Sequence, residues 1–241
     1  MNRRHFTKIC TSMIVAATST LAEQTDVHSK ESFQHSLLQA GKSGALKASD
    51  LIVGEPYLFF YPFVTTPCLL INLKDSISTQ DTDDTENTFA QWTGGVGPRN
   101  SIVAYSAICS HKMSHPAKEI SFINYRHDPV SFYSREKSET VEKSGLISCC
   151  SERSIYDPSQ GAKVLSGPAP HPLAAIALDY NESNDELVAT GSFGADMYER
   201  FFDKFGFRAS IEHEVSDPRT ASGAEVVVRK LSDYSRQTIE C

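Results

Sequence analysis

No stretch of this chain reaches the roughly 20 consecutive apolar residues that a membrane-spanning helix needs, so the sequence offers no clear transmembrane span. Cysteine is sparse: Cys10, Cys68, Cys109, Cys149, Cys150 and Cys241 are the only six in 241 residues. They are too few and too unevenly spaced for a disulfide scaffold, and the paired C-x-x-C motifs of a zinc ribbon are missing. Positive charge is also short, with 23 Lys and Arg against 30 Asp and Glu, a net charge of −7. Three of those positives, Arg3, Arg4 and Lys8, fall within residues 1–22, which contain no acid. Without that segment 20 basic residues would face 30 acidic ones, or −10. A body that acidic repels phosphate backbones, so no nucleic-acid partner is expected. What is present is ordinary globular composition, 40% hydrophobic with 13 Gly and 11 Pro. It excludes collagen-like and disordered classes and suffices for one sizeable core or two small ones.

The first eight residues place an arginine pair, Arg3-Arg4, ahead of Phe6 and Lys8. This resembles the twin-arginine export signal. A mildly apolar stretch over residues 9–22 follows, and Thr20-Leu21-Ala22 presents small residues where a signal peptidase acts. One alternative is an amphipathic first helix of the folded domain. Another is an uncleaved anchor, disfavoured because residues 9–22 hold five Ser or Thr and are short for a span. The expectation is a signal over residues 1–22 and a periplasmic protein. Because that route carries folded chains, a metal centre would be acquired before export.

Residues 23–50 are polar, with a short helix expected around 33–40. Aromatic and β-branched runs at 57–64 and 68–73, separated by Thr65-Thr66-Pro67, predict a hairpin. Residues 74–88 form an acidic solvated loop, whose Asp cluster lacks the Gly and distal Glu of an EF-hand. Strands are expected at 101–108 and 119–125, a charged hairpin insertion at 128–143, and a strand at 146–148. A closing pair at 173–179 and 186–190 is joined by the Asn181-Glu182-Ser183-Asn184 turn. Only beyond Gly194 does a helical pattern appear. Met197, Phe201, Phe202 and Phe205 recur at helical spacing, a core-facing stripe, and Gly206 is placed to cap it. Trp92 beside Gly94-Gly95 marks a loop rather than a phosphate cradle, Cys68 reads as a small buried hydrophobe, and Cys241 reads as a free terminal thiol. The class is mainly β with a small helical appendage.

Two short segments carry the chemistry: Cys109-Ser110-His111 and Cys149-Cys150-Ser151-Glu152. Thiolates and an imidazole presented from two loops can hold zinc or an iron–sulfur cluster. After the second segment come Ser154-Ile155-Tyr156-Asp157, Gly161, and Gly167-Pro168-Ala169-Pro170. Together these resemble the Rieske [2Fe–2S] family, whose second box reads Cys-x-x-His-Gly-Ser-x-Tyr/Phe-Asp and whose cluster lies under a Gly-Pro-Ala-Pro loop. The resemblance covers roughly residues 51–192 and leaves 193–241 as a C-terminal helical extension. It implies an antiparallel β-sandwich with a small cluster-binding subdomain, to which the stripe beyond Gly194 adds a short C-terminal helix.

By that resemblance one iron takes two Cys and the other two His. Cys109 and Cys149 match the thiolate ligands and His111 the first imidazole, but Glu152 stands where the second His belongs. Cys150, His115 and His171 are alternative ligands; the two histidines equally suit surface or supporting positions, and Cys150 suits packing beneath the loop. Ser154 and Tyr156 match positions whose hydroxyls bond cluster or cysteine sulfur and raise the potential. Gly167, Pro168 and Pro170 belong to the covering loop. Many members join the two cluster loops by a disulfide; the corresponding positions here are Ser114 and Ser151, so both halves are missing together.

The resemblance implies an electron-transfer component of an oxidoreductase rather than a stand-alone catalyst, carrying a [2Fe–2S] cluster. Its partner would be a redox protein or a larger oxidoreductase subunit. The small subunit of arsenite oxidase is such an exported Rieske protein, and a quinol-oxidising cytochrome complex is the other setting, with membrane association through the partner. Two further readings stay open: a cluster-less Rieske-fold docking or structural subunit, and a mononuclear zinc staple built from Cys109, His111, Cys149 and Cys150.

Overall fold

The computed structural model of the chain describes residues 29–78 and 92–241. The proposed export signal, Cys10 and most of the acidic loop lie outside these. Strands occur in the order β1 (Lys30–Gln39), β2 (Pro56–Phe60), β3 (Pro67–Asn72), β4 (Ile102–Ser106), β5 (Ile120–Ser121) and β6 (Ile123–Arg126). They continue with β7 (Val130–Ser134), β8 (Glu139–Lys143), β9 (Leu146–Cys149), β10 (Ser154–Asp157), β11 (Lys163–Ser166), β12 (Ala175–Asn181) and β13 (Glu186–Phe193). Helix α1 (Asp196–Glu212) follows, then β14 (Glu225–Val227), β15 (Arg229–Lys230), the single turn α2 (Leu231–Tyr234) and β16 (Gln237–Thr238). The protein is mainly β, as its composition and turn signals imply.

Eight strands form one sheet in the order β14-β1-β13-β12-β4-β3-β2-β15. The two edge strands are consecutive pieces of one segment. β14 pairs in parallel with β1, and β15 pairs antiparallel with β2. Between them the Val228 amide donates to the Gln39 carbonyl at 2.8 Å. The sheet therefore curls until its edges meet on residues 225–230, which leaves few open backbone groups for another chain to pair with. Curling also explains why every residue of β3 is buried. Cys68 and Leu70 face the inside of the curl. Leu69 and Ile71 face outward, onto a second core. Its apolar run lacks period-two alternation because neither face meets water.

β1 corrects the expected helix at 33–40. Phe33, Leu37 and Leu38 are spaced as on a helix, but pairing with β13, broken by an irregularity between Ser32 and Ser36, overrides that local signal. Phe33 stands edge-on to Tyr61, Phe63 and Tyr198. The hairpin β2–β3, the insertion β7–β8 and the closing pair β12–β13 form where the sequence places them.

A smaller antiparallel sheet, β11-β10-β9-β6, packs on the outer face of the large one. Ile123, Tyr125, Ile147 and Tyr156 meet Leu58, Leu69, Ile71, Val103 and Tyr105 there, and Trp92 joins them with its ring 6.1 Å from that of Tyr105. Helix α1 seals a third cluster, setting Met197, Tyr198, Phe201, Phe202 and Ala209 against Ile108, Met113 and Ala174. Gly206 does not end this helix, which runs on to Glu212 with His213 as its cap. Its small size has a packing use instead, since a Cβ there would come within 3.3 Å of the Pro218 ring.

The orientation of α1 separates two phenylalanines sharply. Phe201 is fully buried, whereas Phe207 is 84% exposed. Phe201→Ala is expected to cost about 3–5 kcal/mol, and Phe207→Ala less than about 0.5 kcal/mol. Urea unfolding of the two variants checks this, and equal losses would contradict the docking of the helix.

Candidate metal centre

Three loops converge where the outer core meets α1. The first leaves β4 and carries Cys109 and His111. It is a tight turn: the Cys109 amide donates to the Ser114 carbonyl and the Met113 amide to the Cys109 carbonyl, both at 2.9 Å. Met113 takes a left-handed conformation, with φ 61°, and buries its side chain against α1. The second loop is the turn between β9 and β10, where Cys149 lies opposite Ser154 across the ladder. The third is Gly167-Pro168-Ala169-Pro170, which crosses the second so closely that a Cβ on Gly167 would sit 2.3 Å from the Arg153 carbonyl oxygen.

The sulfurs of Cys109 and Cys149 meet in this convergence, both residues being buried. The Cys149 thiol donates to Cys109, and this is the main reason Cys109 is lowered to about 6. Burial opposes the shift, while the Tyr156 hydroxyl, 3.2 Å away, and the backbone amides of His111 and Lys112 reinforce it. Cys149 moves the other way, held protonated by its bond to Cys109, by burial and by the charge on its neighbour. Its sulfur is nonetheless faced by the amides of Ser151 and Glu152. Each sulfur thus has the amides two and three residues further along its own loop, a cradle that stabilises negative charge.

His111 has a buried Nδ1 with no hydrogen-bond partner. An unpaired buried polar atom costs roughly 1–3 kcal/mol, so this imidazole is left in need of something to bind. Glu152 is engaged otherwise. Its carboxylate pairs with Lys112 of the first loop, which holds it below the usual carboxylate range. Among the described residues no three His, Cys, Asp or Glu side chains converge closely enough to hold a metal ion as they stand. Two facing thiols and an unpartnered imidazole are the donor types a cluster would take, although the three do not converge; the Glu152 carboxylate is turned to Lys112.

The alternative ligands are placed elsewhere. Cys150 is disulfide-bonded to Cys241, which corrects both the reading of Cys150 as a thiolate donor and that of Cys241 as a free thiol. Closing a loop across a sequence separation of 91 is worth roughly 4–5 kcal/mol in the chain-entropy account. His115 bonds the Met113 carbonyl through Nδ1 at 2.9 Å and stands edge-on to Phe201 and Phe205. Burial lowers its pKa, so it packs the first loop onto α1 as a neutral ring. His171 is exposed and contributes its carbonyl, which accepts from the Ser110 hydroxyl at 2.7 Å. Ser154 is buried, and its oxygen accepts from the Ala169 amide at 3.2 Å, tying the second loop to the third.

Several fastening residues escape sequence reasoning. Arg200 donates to the Ser110 carbonyl at 2.7 Å and Lys204 to the Lys112 carbonyl at 2.8 Å, so α1 grips the first loop through a basic pair four residues apart. Arg135, from the tip of the β7–β8 hairpin, bonds the carbonyls of Gly167 and Ala169. The i, i+4 spacing of Arg200 and Lys204 was a readable signal of a shared face; nothing local pointed to Arg135.

No family model matches the chain. Among solved structures it is similar to the soluble domain of the Rieske protein II (soxF) from Sulfolobus acidocaldarius, with 26% identity over 66% of this chain and 78% of that one, at a TM-score of 0.43.

Gly167→Ala is expected to destabilise the protein by more than about 2 kcal/mol, because the added methyl meets backbone and φ is +81°. Thermal unfolding checks it, and a variant as stable as the parent would show that the third loop does not press on the second.

Proposed function

We propose that this chain is a Rieske-type electron-transfer protein that holds a [2Fe–2S] cluster between its first two loops and serves a larger oxidoreductase subunit. One observation carries the reading: two buried cysteine sulfurs in contact, each cradled by two amides of its own loop, with a buried, unpartnered imidazole nitrogen on the residue two beyond Cys109. Cys109 and Cys149 would hold one iron and His111 the other, with Glu152 as the fourth ligand once released from Lys112. A bound cluster supplies reversible one-electron transfer. The chain's own residues set its environment: the amide cradles and the Tyr156 hydroxyl stabilise negative charge on sulfur, and the covering loop limits water.

The Lys112–Glu152 pair favours a second reading, a cluster-less docking subunit, because it closes the two loops on each other without metal. The zinc staple is weakened, since Cys150 has no thiolate to offer. Iron and sulfide analysis with a visible spectrum, on protein matured in an export-competent host, separates them. A brown protein with stoichiometric iron and sulfide is expected, and Cys109→Ser or Cys149→Ser should abolish both. Colourless, metal-free protein would establish the docking reading. In the loaded protein Tyr156→Phe should lower the potential by roughly 20–65 mV, one hydrogen bond of about 0.5–1.5 kcal/mol expressed for one electron. An unchanged potential would remove Tyr156 from the sulfur's environment.

The location proposed is the periplasm, reached by the twin-arginine route. A disulfide suits an oxidising compartment, and no helix among the described residues is long and apolar enough to cross a membrane. Replacing Arg3 and Arg4 together with Lys should leave the folded protein in the cytoplasm. Cell fractionation reads this, and undiminished export of the double variant would refute it.

A further inference from the structure

The C-terminal seven residues run along the segment that joins the first loop to the smaller sheet. The Ser235 hydroxyl donates to the Ala117 carbonyl at 2.7 Å, the Arg236 amide to Lys118 at 2.9 Å and the Gln237 amide to Glu119 at 3.2 Å. β16 then pairs in parallel with β5, and the Ile239 amide donates to the Ser121 carbonyl at 2.9 Å. Arg126 pairs with Glu240 at 3.3 Å. The strap ends in the Cys150–Cys241 disulfide, one residue beyond Cys149. On its other side Cys150 donates its amide to the Phe122 carbonyl at 2.6 Å. One tail therefore touches the chain leaving the first loop and is covalently joined to the second.

We propose that the Cys150–Cys241 disulfide is a thiol-sensitive clamp that holds the second loop, and with it Cys149, in place. Ser114 and Ser151 cannot cross-link the two loops directly, and the Lys112–Glu152 pair that spans them is solvent-facing and open to screening. The tail disulfide is the covalent tie at the site. Without it the strap retains a two-residue strand and a handful of hydrogen bonds, a weak hold on a segment at the edge of the fold. The bond is also reachable: Cys241 is exposed and lines a cavity of about 500 Å³ with Tyr133, Arg153 and Gly167. A dithiol entering there gives up two electrons and two protons. The Cys150–Cys241 bond breaks to two thiols, and the dithiol closes to its own disulfide.

Hydrogen exchange on the full chain as purified, before and after treatment with dithiothreitol, tests the clamp, with alkylation and intact mass confirming that the bond is reduced. Exchange is expected to rise roughly tenfold or more in peptides spanning residues 147–154 and 235–241, while β3 and β4 stay unchanged. Cys241→Ser should show the raised exchange without reductant and no further response to it. Should that variant fail to fold, the reduced parent protein carries the test alone. Unchanged exchange at residues 147–154 after confirmed reduction overturns the proposal, as does an equal rise throughout the chain. The result is independent of the electron-transfer reading: responsive exchange in a chain without iron upholds the clamp and refutes the cluster, and the converse pattern does the reverse.

Discussion

The contact between the Cys109 and Cys149 sulfurs is the constraint around which the outer half of this protein is arranged. Two buried thiols in a low-dielectric setting are tolerable when charge on one is answered by donors, and here the donors are built in. A thiol, a tyrosine hydroxyl and two amides surround Cys109, and two amides face Cys149. Those amides lie two and three residues beyond each cysteine, so the turns themselves create the cradle. Both cysteines belong to the same apolar cluster that joins the two sheets. Packing therefore sets the separation of the sulfurs, and the loops set their electrostatics.

Around this contact the loops are fastened from every side by different physical means. α1 grips the first loop through Arg200 and Lys204 and through the aromatic edges around His115. The second loop is tied to the third by Ser154, and the third to the hairpin insertion by Arg135. Among the described residues, only the tail provides a covalent tie. The hairpin and the C-terminal extension, which read as appendages in the sequence, thus supply much of what holds the site. Charge-assisted bonds to carbonyls suit this task because a carbonyl at a tight turn has no ladder partner of its own.

Much of the fold was legible locally. Aromatic and β-branched runs located the β2–β3 hairpin, charge the insertion, the Asn181–Asn184 turn the β12–β13 pair, and the aromatic stripe α1. That Cys109, Cys149 and Tyr156 belong together was an expectation of the Rieske resemblance; residue spacing alone singled out only the two cysteine-bearing loops. Helix spacing at Phe33, Leu37 and Leu38 misled, because strand pairing with β13 is a nonlocal energy that no short window contains. Gly206 misled for a related reason: its meaning came from Pro218, twelve residues on, rather than from helix termination.

Sequence alone determined the chemical kinds present: thiols and an imidazole at loop spacing, a carboxylate three residues after Cys149, and an acidic body. Those follow from residue identity and near-neighbour spacing, which survive in one dimension. Tertiary structure decided the assignments. It turned Glu152 toward Lys112, packed His115 into α1, left His111 Nδ1 unpartnered, and joined Cys150 to the last residue of the chain. Each depends on which groups are brought within a few ångströms by segments 40 to 91 residues apart, and only the closed fold specifies that.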